Sequence, residues 1–182
     1  MNKQKFIFLA FLLLIFIGVY LYFMSGKPKE KKEQNTMISV TSPQFINNKS
    51  IPKKYTCDGI NVNPPLVIDN IPAGTKSLAL IVDDPDAPGG TWSHWLVWNI
   101  DPKTKEIQEN EVPSGVIVGK NDFGDMKYDG PCPPSGTHHY FFRLYALDVK
   151  LNLPSGSERK ILENSMEGHI IDKTELMGKY SR

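Results

Sequence analysis

From residue 36 onward the chain alternates short apolar runs with clusters of proline, glycine, asparagine and aspartate. The runs are MISVTS (37–42), LVI (66–68), SLALIVD (77–83), HWLVWNI (94–100), GVIV (115–118) and YFFRLYALDV (140–149). They are rich in β-branched and aromatic side chains, which fit a pleated, packed surface. The segments between them, among them NVNPP, NIPAGTK, PDAPGG and YDGPCPPSGT, are made of turn residues. Several runs are apolar at every position, as a strand covered on both faces must be. The pattern predicts a mainly β domain, two packed sheets in a β-sandwich, with one or two helices at its margin.

One segment has helical spacing. In LPSGSERKILENSMEGH (153–169), Ile161, Leu162, Ser165, Met166 and His169 share a face, Ser155 and Glu158 have capping-box spacing, and Gly168 ends the run. Beyond it, Leu176, Gly178 and Tyr180 alternate, which predicts a closing strand over 173–180. No internal repeat is present.

The first residues follow another pattern. After the short basic MNKQK, residues 6–24 are uncharged throughout, about the length that a membrane-spanning helix needs. Tyr20, Tyr22 and Phe23 stand where a cleavage site wants small residues. The expectation is an uncleaved signal anchor over residues 1–24 that holds the domain outside the cytoplasm; secretion after cleavage is the alternative. Residues 25–35, SGKPKEKKEQN, have the composition of a solvated linker. The folded domain is expected over 36–182.

Composition narrows the function classes. The 182 residues carry 21 basic against 20 acidic side chains, so there is no electrostatic footprint for nucleic acid. A hydrophobic content of 40% is enough for one substantial core.

The chemistry-bearing residues gather in two stretches. IVDDPDAPGGTWSHWLVWNI (81–100) brings Asp83, Asp84 and Asp86 to the end of one strand and His94 to the start of the next. In the second stretch, a strand through residues 139–148 places His138, Tyr140 and Phe142 on one face and His139, Phe141 and Arg143 on the other. A metal site is disfavoured, since H-x-x-x-H, H-x-H and C-x-x-C are all absent and Pro85 and Pro88 keep the aspartates from wrapping an ion. A hydrolase triad lacks a nucleophile context, because Ser93, next to His94, points to the opposite face. An anion pocket suits the remaining set: two histidines, a tyrosine and glycine amides offer N–H and O–H donors. The carboxylates fit if Asp84 holds an imidazole in its donor form, or if the ligand is a zwitterion. The bland reading, turns between strands, stays open beside it.

The ordered segments DDPDAP, SHWLVWNI and GPCPPSGTHHYFFRLYALD, with YTCDGINVNPPL before them and GHIIDKTELMGKYSR after, closely resemble the phosphatidylethanolamine-binding protein family. The resemblance is to its bacterial and archaeal Raf-kinase-inhibitor-like branch and covers essentially everything after residue 36. It implies a β-sandwich with flanking helices and a small pocket for phosphate-type anions, phosphoethanolamine head groups included. Carried across by motif, Asp84, Asp86, His94, His138 and Tyr140 would line that pocket, with Gly130 and Pro131 at its rim. His139 stands where many relatives have arginine, on the strand face away from the pocket. Mammalian members add a C-terminal helix beside the pocket; with Arg182 as the last residue, a more open pocket is expected.

Family members are described as binding or inhibitory proteins, so the resemblance implies a non-catalytic binding protein that needs no cofactor. Two alternatives stay open: a kinase or protease inhibitor acting through protein contact, and a hydrolase or isomerase using His94 and Asp84. The expected partners are a small anionic or zwitterionic ligand and the membrane through the N-terminal helix, with a protein partner left open. Cys57 and Cys132 are the only cysteines, and the resemblance places both near the pocket. An even pair in an exported domain invites a disulfide; two buried free thiols are the alternative.

Overall fold

The computed structural model describes residues 15–17, 19, 20, 22 and 37–182. The chain divides into two units, residues 1–35 and residues 36–182. Within 37–182 there are nine strands and one α-helix: β1 (Ser39–Thr41), β2 (Lys49–Ser50), β3 (Leu66–Asp69), β4 (Ser77–Asp84), β5 (Trp92–Ile100), β6 (Glu106–Ile107), β7 (Ile117–Val118), β8 (Thr137–Leu147), α1 (Arg159–Met166) and β9 (Ile170–Ser181). A single 3-10 turn covers Lys53–Tyr55.

The strands form two sheets, as the apolar runs predict. The smaller has the order β1-β3-β6 and the larger β2-β9-β8-β4-β5-β7. All pairings are antiparallel except the short parallel contact of β2 with β9. The main core lies between the sheets: Val40, Leu66 and Ile68 from the small sheet, with Ile38 just before β1, meet Leu80, Val82, Trp95, Val97, Phe142 and Leu144 from the large one. On the other side of the large sheet, Ala79, Ile81, Leu96 and Trp98 pack under Leu162 and Met166 of α1. This double coverage explains why β4 is buried at every position and why its run is apolar without alternation.

Strand β8 keeps the period of two. His138, Tyr140, Phe142 and Leu144 are buried, while His139, Phe141, Arg143 and Tyr145 are half-exposed on the other face.

Three expectations change. The helix is shorter than its pattern, and Glu158 is its N-cap without a side-chain cap bond. Ser155 Oγ donates instead to the Val118 carbonyl at 2.9 Å, so the capping box does not form. Only Leu162 and Met166 of the expected face are buried, and Ile161 and His169 are exposed. Strands β2 and β6, of two residues each, went unseen because so short a segment has no periodicity to read.

The membrane anchor is also corrected, and with it the expectation of an extracytoplasmic anchored domain. No helix among the described residues is long and apolar enough to cross a membrane. Crossing the hydrocarbon takes about 20 consecutive helical residues, and within 6–24 helix is described only at 15–17, 19, 20 and 22. The rest of that stretch and the linker read at 25–35 lie outside the described residues.

Candidate functional site

The C-terminal end of β4 separates two aspartates by the alternation of a strand. Asp83 turns towards α1 and is fully buried between Arg143 and Arg159, whose Nε and Nη2 lie 3.1 and 2.9 Å from Oδ2. Burial pushes its carboxyl up from the ordinary value, and the two guanidiniums oppose that rise. Asp84 turns the other way. Its Oδ2 accepts from His138 Nδ1 at 2.7 Å, and its Oδ1 accepts the backbone N–H of Asp86 at 2.9 Å.

His94 reaches the same place through an irregularity. Along β5, Trp95 pairs with Val82 but Ser93 pairs with Asp83, so His94 is the extra residue of a bulge. A bulge re-aims a side chain that strict alternation would send to the opposite face. Here the imidazole stands edge-on to the Tyr140 ring, with centroids 5.2 Å apart. The His138 ring stacks with the Tyr140 ring, with centroids 6.4 Å apart. Asp84, His94, His138 and Tyr140 thus form one buried cluster.

The cluster rests on the loop between β7 and β8. His94 Nδ1 donates to the Asp129 carbonyl at 2.6 Å. Asn121 Nδ2 donates to Asp129 Oδ2 at 2.8 Å, and Asn61 Nδ2 to Oδ1 at 3.3 Å. Asn61 Oδ1 in turn accepts the Gly130 amide at 2.7 Å. Gly130 must be glycine, since a Cβ there would lie 2.1 Å from the Tyr55 carbonyl oxygen. Cys57 donates its amide to the Pro131 carbonyl at 3.1 Å, and a disulfide joins Cys57 to Cys132 across a Cα separation of 5.4 Å. At the edge, Phe123 packs against both His94 and Trp92, at 5.3 and 5.6 Å between centroids.

Burial governs the protonation of the cluster. It pushes the His94 imidazole below its ordinary value, against the pull of the Asp129 carbonyl and the Asp84 charge. The Tyr140 phenol is pushed up, first by burial and then by the Asp84 charge. Tyr140 Oη is near enough to Asp84 and the Cys132 amide to feel both, yet it forms no hydrogen bond of normal geometry and is fully enclosed.

Two residues stand apart from this cluster. Asp86 turns outward: its Oδ2 accepts from the His139 amide at 2.8 Å and lies 2.6 Å from His139 Nδ1. That pairing holds the Asp86 carboxyl below its ordinary value. His139, expected on the strand face away from the pocket, therefore engages one of the expected pocket residues. Asn61, Phe123, Asn121 and Asp129 were missed altogether. They lie in irregular loops, where neither alternation nor spacing marks a residue, and the positive φ that Asn61 adopts has no signal beyond its residue type.

Two clefts open elsewhere on the surface. One of about 430 Å³, beyond the opposite ends of β4 and β5, is lined by Lys76, Lys103 and Lys150 with Asp101. Another of about 340 Å³ is bounded by Arg143, Tyr145, Lys173 and Glu175.

The family model described as phosphatidylethanolamine-binding protein matches residues 41–181. A UPF0098 protein of Pyrococcus horikoshii is 51% identical over 159 residues, which cover 82% of this chain and 79% of the relative. Among solved structures, a phosphatidylethanolamine-binding protein homologue of Chlamydia trachomatis superposes with a TM-score of 0.77 at 40% identity, over 80% of this chain and 98% of the other. Escherichia coli YbcL, described as a member of the mammalian family, superposes with a TM-score of 0.76 at 31% identity, over 81% and 99% of the two chains.

Proposed function

The chain belongs to the phosphatidylethanolamine-binding protein family, and from that premise we propose that it is a non-catalytic binding protein whose ligand carries a phosphate-type head group. The observation that carries this reading is the Tyr140 hydroxyl, enclosed and unpartnered between two histidines and Asp84. A buried polar group without a partner is unfavourable by about 1–3 kcal/mol, and a ligand oxygen would relieve it. His138 is oriented by Asp84 as a ligand-facing imidazole should be. Gly130 and Pro131 bring the disulfide-tied loop against the cluster.

The absence of turnover is supported by what surrounds His94. Cys132 is held in its disulfide, and Ser93 pairs in register with Asp83 on the α1 side of the sheet. Neither is placed as a nucleophile for His94.

Calorimetric titration with phosphoethanolamine and with inorganic phosphate tests the proposal. Tyr140→Phe is expected to weaken binding by about tenfold or more, the loss of a hydrogen bond to a charged acceptor. Unchanged affinity in that variant, or no binding to the wild type, would remove the assignment.

A further inference from the structure

We propose that the cleft beyond the opposite ends of β4 and β5 from the Tyr140 cluster is a second binding site, built for an oligophosphate, a linear chain of phosphoryl groups with its charge spread along its length. The site shares no residue with the Tyr140 cluster and does not depend on the reading of it. Its volume of about 430 Å³ falls within the range of about 300–1,000 Å³ usual for small-molecule sites.

Three separate segments each bring one lysine to the cleft, and each segment is tied down at its backbone. Lys76 comes from the turn before β4: its amide donates to the Leu147 carbonyl at 2.8 Å, and Thr75 gives both its amide and its hydroxyl to the Pro72 carbonyl, at 3.3 and 2.8 Å. Lys103 comes from the turn after β5. There Asp101 Oδ1 accepts the Lys103 amide at 2.8 Å, and the Asp101 carbonyl accepts the Thr104 amide at 2.9 Å. Lys150 comes from the segment after β8, which Asn99 fixes by accepting the Leu151 amide at 2.8 Å and donating Nδ2 to the Leu151 carbonyl at 2.9 Å. Asn99 takes a left-handed φ of 59° to do so, a conformation that asparagine adopts more readily than most residues.

The charge of the cleft is uncompensated. All three arginines of the chain, Arg143, Arg159 and Arg182, are paired with carboxylates. Lys76, Lys103 and Lys150 are exposed, and none of them forms an ion pair among the described residues. Asp101 is the one carboxylate of the lining, so three positive groups less one negative leave an excess of two in a chain whose formal net charge is +1. Asp148, two residues before Lys150, is engaged by His169 at 2.8 Å.

These features select the ligand class. An exposed ion pair raises affinity by about fivefold at most, because water and salt screen it. One oxyanion on one lysine is therefore not retained, whereas a chain of phosphates that meets all three ammonium groups multiplies the factors. A lysine head group is a point charge with three donors, which suits phosphoryl oxygens, and it lacks the planar fork with which arginine grips a carboxylate. No aromatic side chain lines the cleft, so a nucleobase finds no ring to stack on and the phosphate chain itself is what is recognised.

Tripolyphosphate and inorganic phosphate, titrated calorimetrically into the full chain without divalent metal, test this with two double variants. Lys76→Gln with Lys150→Gln takes two charges from the cleft; Lys49→Gln with Lys160→Gln takes two from exposed positions on β2 and α1. The cleft variant is expected to bind tripolyphosphate about tenfold or more weakly and inorganic phosphate within about twofold of the wild type, while the control variant loses less than about threefold for either. Adenosine triphosphate should match tripolyphosphate within about fivefold, and raising the ionic strength to about 0.5 M should weaken both. If the cleft variant does not keep the wild-type urea midpoint, Lys103→Gln replaces it, with an expected loss of about threefold to fivefold. If inorganic phosphate binds no form of the protein, the tripolyphosphate comparison decides alone. Equal losses in the cleft and control variants would mean attraction to net charge and would overturn the proposal. So would tripolyphosphate binding that ignores the cleft lysines, no tripolyphosphate binding, an equal loss for inorganic phosphate, or adenosine triphosphate binding about tenfold more tightly than tripolyphosphate.

Discussion

A tyrosine hydroxyl enclosed without a partner is a standing loss to the free protein, so Tyr140→Phe should behave unlike an ordinary core substitution. Removing Oη leaves the ring contacts with His94 and His138 intact and removes an unsatisfied group worth about 1–3 kcal/mol. The variant is expected to unfold in urea at the same or a higher midpoint than the wild type while binding phosphate less well. A clear loss of stability would mean that the hydroxyl is already satisfied. His94 gives a second expectation. Burial lowers its folded-state pKa, so the unfolded chain binds the extra proton more readily. The stability contribution is present above the unfolded value of about 6.5 and is lost as pH falls through the depressed folded value. Melting temperature followed by circular dichroism should therefore decline below about pH 6.5, and His94→Gln should flatten that decline. At this scale the sequence was partly legible. The parity of β8 put His138 and Tyr140 on one face, where they are. It could not show that a bulge at His94 aims the ring at Tyr140, because a register shift depends on the partner strand. Nor could it show Asp86 turning to His139, a contact between residues 53 apart in the chain.

Among the elements, β4, β5 and β8 were readable because their long runs of apolar and β-branched residues reflect burial on one or both faces. The helix was readable in place but not in detail, since an eight-residue segment with two buried side chains leaves most of its pattern unconstrained. Leu162, fully buried under the large sheet, carries its docking; Leu162→Ala is expected to destabilise the domain by about 2–5 kcal/mol, read as a lowered urea midpoint without loss of phosphate binding. The site loops depend on a different device. The disulfide Cys57–Cys132 spans a sequence separation of 75, and in the chain-entropy model a closed loop of that size contributes about 4 kcal/mol. Reduction should lower stability by an amount of that order and also weaken ligand binding, because Gly130 and Pro131 stand next to Cys132. Retained binding after reduction would show that Asn61, Asn121 and Asp129 hold the loop unaided.

At the scale of the whole molecule, two sheets enclose a core, and the ends of β4, β5 and β8 meet the 121–132 loop to make one polar cluster. Near-neutral charge leaves no long-range field to draw an anion, so recognition has to be local, and the locality is what sequence patterning renders least well. The expected membrane anchor shows the complementary weakness: a run of apolar residues predicts burial in something, but no helix among the described residues is long and apolar enough to cross a bilayer. The most direct test of the central claim is a crystal structure of the protein with phosphoethanolamine. The account predicts phosphoryl density within hydrogen-bond distance of Tyr140 Oη, beside His94 and His138. Density seated instead among Lys76, Lys103 and Lys150 in the distant cleft, with the Tyr140 cluster unchanged and empty, would contradict it.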